Sequence, residues 1–152
     1  MNELTKILLI VSFSLSSIFA SGMKNNNWEV YYEDAKIKIS YQKQECNLNN
    51  QFDQEFVFLK IENLSSQAVI LKWDEKIWYE ESCINCEQDS PEFRKVISIE
   101  SGGILEGNCK EHNALRIFSK FTEKLEDMPG VDKIVKLTKF ELKNLTITNE
   151  YK

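Results

Sequence analysis

The sequence predicts an all-β fold, an antiparallel β-sandwich of immunoglobulin-like or fibronectin-like plan, preceded by a signal-peptide helix. Three observations carry this expectation. Short apolar runs with a two-residue period recur along the chain, turn-forming residues separate them, and no alternation of strands with helical segments occurs.

The N-terminus is read first because it sets the compartment. Lys6 precedes an apolar run from Ile7 to Ala20 that is broken by Ser12, Ser14, Ser16 and Ser17. A membrane-spanning helix needs about 20 apolar residues. The run instead matches the charged start, apolar middle and small-residue end of a secretory signal. Residues 1–20 are therefore expected to be a signal peptide cut after Ala20, although Ile18 is bulkier than usual at its position before the cut. Residues 21–27 are expected to be a flexible N-terminal segment, and residues 28–152 a single sandwich domain. The first cysteine is Cys46, too far along for a lipid anchor at the end of the apolar run. The expectation is a periplasmic or secreted domain with no stable membrane insertion after cleavage.

The strands follow in order. In "KIKISY", Ile37, Ile39 and Tyr41 share one face. "EFVFLKIEN" opens apolar on both faces, as a central strand covered on both sides for half its length would. "NLSSQ" reads as a turn, with "AVILKW" as the returning partner strand. "KVISI" alternates before the Gly102–Gly103 turn, after which "ILEGNC" is expected to return. "ALRIFSKF" reads as a strand to about Phe121 followed by a polar loop; a helical stripe of Phe118, Phe121, Leu125 and Met128 is the alternative. "KLTKFELKNLTIT" keeps Phe140, Leu142, Leu145 and Ile147 on one face only if a β-bulge adds a residue near Lys143–Asn144.

Cys46, Cys83, Cys86 and Cys109 make an even set in a small exported domain, so two disulfides are expected. Convergence of all four at one end of the sandwich favours Cys46–Cys109 with a local Cys83–Cys86 ring, and the crossed pairings stay open. Cys83, Cys86, Cys109 and His112 also form a C-x-x-C and a C-x-x-H with 22 residues between them, near the pattern of a Cys₃His zinc site. An oxidising compartment opposes the thiolates that zinc needs, and such a site would strand Cys46. Redox catalysis is disfavoured because the C-x-x-C is flanked by carboxylates, which suppress the thiolate.

There are 19 Lys and Arg against 24 Asp and Glu, a net charge of −5, without a basic block. A nucleic-acid footprint is thereby excluded. With one His, no G-x-S-x-G and no phosphate loop, no enzyme is expected, and no cofactor. Asp74–Glu75, Glu80–Glu81 and Glu126–Asp127 read as solvated surface. "KWDEKIWYEE" places Trp73 in the core and surrounds an Asp74–Glu75–Lys76 turn with Trp78 and Tyr79. Those two rings are the candidate binding surface, for a protein partner or, in a carbohydrate-binding module, for a glycan. Asn63-Leu-Ser65 and Asn144-Leu-Thr146 have the form of glycosylation sequons.

Overall fold

The computed structural model describes residues 28–48, 52–87, 90–111 and 114–149; the expected signal peptide and the 21–27 segment lie outside them. The described residues form nine strands: β1 (Glu29–Glu33), β2 (Ile37–Cys46), β3 (Gln54–Asn63), β4 (Val69–Tyr79), β5 (Ser82–Cys83), β6 (Arg94–Ile99), β7 (Ile104–Glu106), β8 (Arg116–Phe121) and β9 (Leu137–Asn149). All pairings are antiparallel. Sheet A runs β1-β2-β3, with β7 and β8 along the far flank of β3. Sheet B runs β9-β4, with β6 and β5 along the far flank of β4. Among the described residues the only helical turns are single 3₁₀ turns at Pro91–Phe93 and Leu125–Asp127, and no helix is long and apolar enough to cross a membrane.

The alternation of the strands builds a sandwich-like core. Ile37 and Ile39 of β2 and Val57, Leu59 and Ile61 of β3 face Val69, Leu71, Trp73 and Ile77 of β4, with Ile99, Ile117 and Leu142 joining them. Burying each such side chain contributes about 1.5–3 kcal/mol. β3 is covered on both sides. Its other row, Phe56 and Phe58, is buried on the outer face of sheet A with Cys46, against Trp28, Cys109 and Phe118. That second layer explains why "EFVF" is apolar at every position.

Alternation identifies the strands but mispairs two of them. β4 is not the hairpin partner of β3, and β7 does not return along β6. Both connections cross between the sheets. Asn63, only 2% exposed, joins the two crossings. Its Nδ2 lies 2.8 Å from the Gln67 carbonyl in the first crossing and 3.1 and 2.9 Å from the Ile99 and Glu100 carbonyls in the second. Its Oδ1 accepts from the backbone N–H and hydroxyl of Ser65 at 3.0 and 2.8 Å. A crossing needs fixed backbone polar groups without a strand partner, and one carboxamide supplies both donor and acceptor. The first sequon asparagine is thus buried structure.

β8 ends at Phe121 and a 3₁₀ turn follows, so this segment is a strand and not the alternative amphipathic helix. The bulge in β9 is present. Lys72 pairs with Thr146 and Asp74 with Lys143, leaving one extra residue on β9, and Asn144 takes a φ of 53°. Gly107 and Leu115 both bond to Leu59 of β3, and a Cβ on Gly107 would lie 2.2 Å from the Leu115 carbonyl oxygen. Only glycine allows that approach.

Replacing the Asn63 amide by a carboxylate sets a negative oxygen against three carbonyls. Asn63→Asp is expected to cost about 3–5 kcal/mol, read as a lowered urea midpoint with an unchanged slope.

Candidate functional site

The residues around the expected aromatic turn are placed by β4, which does not turn at Asp74–Lys76. It continues to Tyr79, and the chain reverses at Glu80 and Glu81, whose φ values of 49° and 79° are those of a two-residue I′ hairpin. Trp73 faces the core, as expected. Trp78 and Tyr79 point to opposite sides. Trp78 lies on the outer face with the Lys139 ammonium 4.4 Å from its ring centre. Tyr79 faces inward, where its hydroxyl donates to the Phe118 carbonyl at 2.7 Å and its ring centre lies 6.3 Å from that of Phe118. Tyr79 therefore bridges the two sheets, and the two rings form no common platform.

Continuation of β4 also overturns the reading of Asp74–Glu75 as solvated surface. Two-residue alternation puts Glu75 in the inward row between Trp73 and Ile77, 5% exposed. Oε2 is 4.0 Å from Lys95 Nζ, whereas Oε1 has no hydrogen-bond partner among the described residues. Burial pushes the Glu75 carboxyl up to about 7 against the partial pull of Lys95; burial and the nearby Glu75 raise Tyr79 to about 12. A carboxyl whose folded value exceeds its unfolded one stabilises the fold below the unfolded value, and this contribution is lost as pH rises through the folded value. Stability is therefore expected to fall by roughly 3 kcal/mol between pH 4.5 and pH 8 through this group. Glu75→Gln should flatten that dependence in urea titrations across the same range.

The structure pairs Cys46 with Cys109 and Cys83 with Cys86, the pairing that the sequence favours. The strand registers set both bridges toward the end of the sandwich where Tyr79 of β4 meets Phe118 of β8, though on different sheets. Cys46–Cys109 holds Cys109 over the outer face of sheet A, whereas Cys83–Cys86 lies beside β4 of sheet B. Both bonds consume the thiolates of the Cys₃His alternative, with Cys109 held by Cys46; His112 lies outside the described residues. Among the described residues no three His, Cys, Asp or Glu are grouped to hold a metal. The two disulfides indicate an oxidising, extracellular compartment.

The C-x-x-C ring holds Asn85, which is 1% exposed. β6 pairs with β4 only as far as Asp74, and β5 begins opposite Trp78. Asn85 fills the gap. Its Nδ2 donates to the Glu75 carbonyl at 2.7 Å, its Oδ1 accepts from the Ile77 N–H at 3.0 Å, and Ile84 N–H donates to the Ile77 carbonyl. The side chain thus replaces a missing strand residue. Asn85→Ala is expected to cost roughly 2–3 kcal/mol by orphaning buried backbone groups and to speed hydrogen exchange at the Ile77 amide.

One aromatic-walled concavity was not singled out by the sequence. A cleft of about 310 Å³ lies between the free edges of the two sheets, lined by Tyr31, Tyr41, Lys43, Val57, Lys139 and Phe140 among others. An extra residue in β1 opposite β2 bulges at Tyr31 and turns its ring across the gap. There it stacks on Phe140 with ring centres 5.4 Å apart, and its hydroxyl accepts the Leu142 N–H at 2.9 Å. Tyr41 meets Phe140 edge-on at 5.4 Å, and its own hydroxyl donates to Glu29. The aromatic density of "WEVYYE" was the available signal, but the bulge masks its alternation. A smaller polar depression of about 230 Å³ beside Cys86 is bounded by Asp74, Arg94 and Asn144, which already bond one another. No family model, no curated protein and no solved structure matches this chain.

Proposed function

We propose that this chain is an exported, non-catalytic binding domain of immunoglobulin-like or fibronectin-like plan that engages a protein partner in the cleft between β1 and β9. In this reading residues 1–20 are a signal peptide removed after Ala20, and the domain acts in the periplasm or after secretion. The carrying observation is the cleft itself. Its aromatic walls offer large contact area with little conformational freedom to lose, and Lys43 and Lys139 flank it. Glu75, whose protonation is strongly perturbed, belongs to the core row and does not line the cleft, so it is not placed to act on a molecule bound there. The alternative of a glycan ligand is favoured by one observation, the outward Trp78 ring beside Lys139, a residue that also lines the cleft.

A photo-cross-linking residue at position 43 of the exported chain is expected to trap a protein adduct, whereas the same residue at Val96, 61% exposed on β6, should not. Adducts from both positions, or from neither, would remove the cleft as the binding surface. Binding to a glycan array that disappears in Trp78→Ala would select the glycan reading.

A further inference from the structure

Sheet B is one strand narrower than sheet A. Opposite Lys38–Tyr41 of β2, where β1 is present, sheet A is four strands wide, because β7 and β8 follow each other along one flank of β3. Sheet B is at most three strands wide, because β6, the Asn85 side chain and β5 succeed one another along one flank of β4. The missing strand belongs beside β9. On the opposite side the turn at Glu100–Gly103 joins β6 of one sheet directly to β7 of the other, so those edges coincide. On this side β1 has no strand facing it, and Tyr31 reaches over to β9.

The backbone of β9 carries the same message. Ile77, opposite Phe140, gives its N–H to Asn85 Oδ1 and its carbonyl to the Ile84 N–H, both on the flank away from β9. The Ile77–Phe140 pair is therefore a non-hydrogen-bonded one, and the N–H and C=O of Phe140 point away from β4 into the cleft. Leu142, two residues on, points the same way and donates to the Tyr31 hydroxyl. Free edges are commonly blocked by bulges and lysines. In β9 the bulges fall at Thr138 and Asn144, on either side of Phe140. Charge in the cleft is uneven. Lys139 is held by Glu141 at 2.6 Å and Glu29 by the Tyr41 hydroxyl, while Lys43 has no ion-pair partner among the described residues.

The geometry points to a strand-addition site: an extended segment of a protein partner pairs with β9 at Phe140, becomes the fourth strand of sheet B, and sets a carboxylate against Lys43. Its inward side chains cover Tyr41 and Val57, and its backbone supplies the acceptor and donor that Phe140 lacks. This inference rests on the cleft reading above and adds the form and charge of the occupant.

The test is selection from a random-peptide display library on the full, disulfide-bonded chain, followed by amide hydrogen exchange with the selected peptides. Enriched sequences should alternate apolar residues and carry Asp or Glu. They should bind roughly tenfold more weakly to Lys43→Glu, an exposed substitution that leaves the core untouched. Exchange at the Phe140 amide should slow by at least about tenfold on binding. Peptides that bind without slowing Phe140 would overturn strand pairing. Equal binding to Lys43→Glu would overturn the acidic partner. Slow exchange at Phe140 in concentrated protein without peptide would make a second copy of the chain the occupant. An empty selection would overturn a peptide ligand while leaving any adduct trapped at position 43 to stand for the cleft.

Discussion

A single buried carboxamide, Asn63, constrains the architecture more than any strand does. Its amide nitrogen and oxygen bond to both segments in which the chain changes sheets. Hydrophobic burial between Leu59, Ile61, Val69 and Leu71 is non-directional and would tolerate several strand orders. Hydrogen bonds from one fixed group to Gln67, Ile99 and Glu100 do not. They require the end of β3, the start of β4 and the end of β6 to meet at one point. The remaining order, with β9 along β4 and β1 outside β2, follows from that junction and from the antiparallel pairings.

The sequence was informative wherever burial has a simple period. β2, β3 and β6 read correctly because their inward rows alternate, β8 although Ser119 interrupts its apolar row at a register shift, and β9 because its apolar row needs one added residue at a definite place. Pairing was less legible. A turn of Asn, Ser and Gln looks alike whether it closes a hairpin or crosses between sheets, and only Asn63's tertiary partners distinguish the two. Glu75 was misread because charge suggests solvent, while its position in the β4 row demands the core. The candidate site was the least legible part. Trp78 and Tyr79, expected as one binding surface, point to opposite sides, and the cleft is assembled from β1, β2 and β9, which lie far apart in the chain.

β4 shows how a strand remains whole while its neighbours do not match it. Along one flank β9 accompanies its full length; along the other, β6, the Asn85 carboxamide and β5 succeed one another. The C-x-x-C, which invites readings as a metal knuckle or redox centre, is the means by which Asn85 is held at the gap. Directly behind that gap sits the Glu75 carboxyl with its unpartnered oxygen. A cooperative sandwich normally avoids such a group, because an unpaired buried acceptor costs about 1–3 kcal/mol. The surrounding apolar row is extensive enough to hold it in place.

The unequal spans of the two disulfides bear on how the chain matures. Cys83 and Cys86 are three residues apart, Cys46 and Cys109 sixty-three. Thiols so near one another meet at high effective concentration, whereas a long loop closes at greater entropic cost. Of the three ways to pair four cysteines, two require Cys46 to capture Cys83 or Cys86. During N-to-C emergence both become accessible to Cys46 before Cys109 does. Rapid closure of the short ring takes both competitors out of circulation. Once that ring is closed, Cys109 is the one partner left to Cys46.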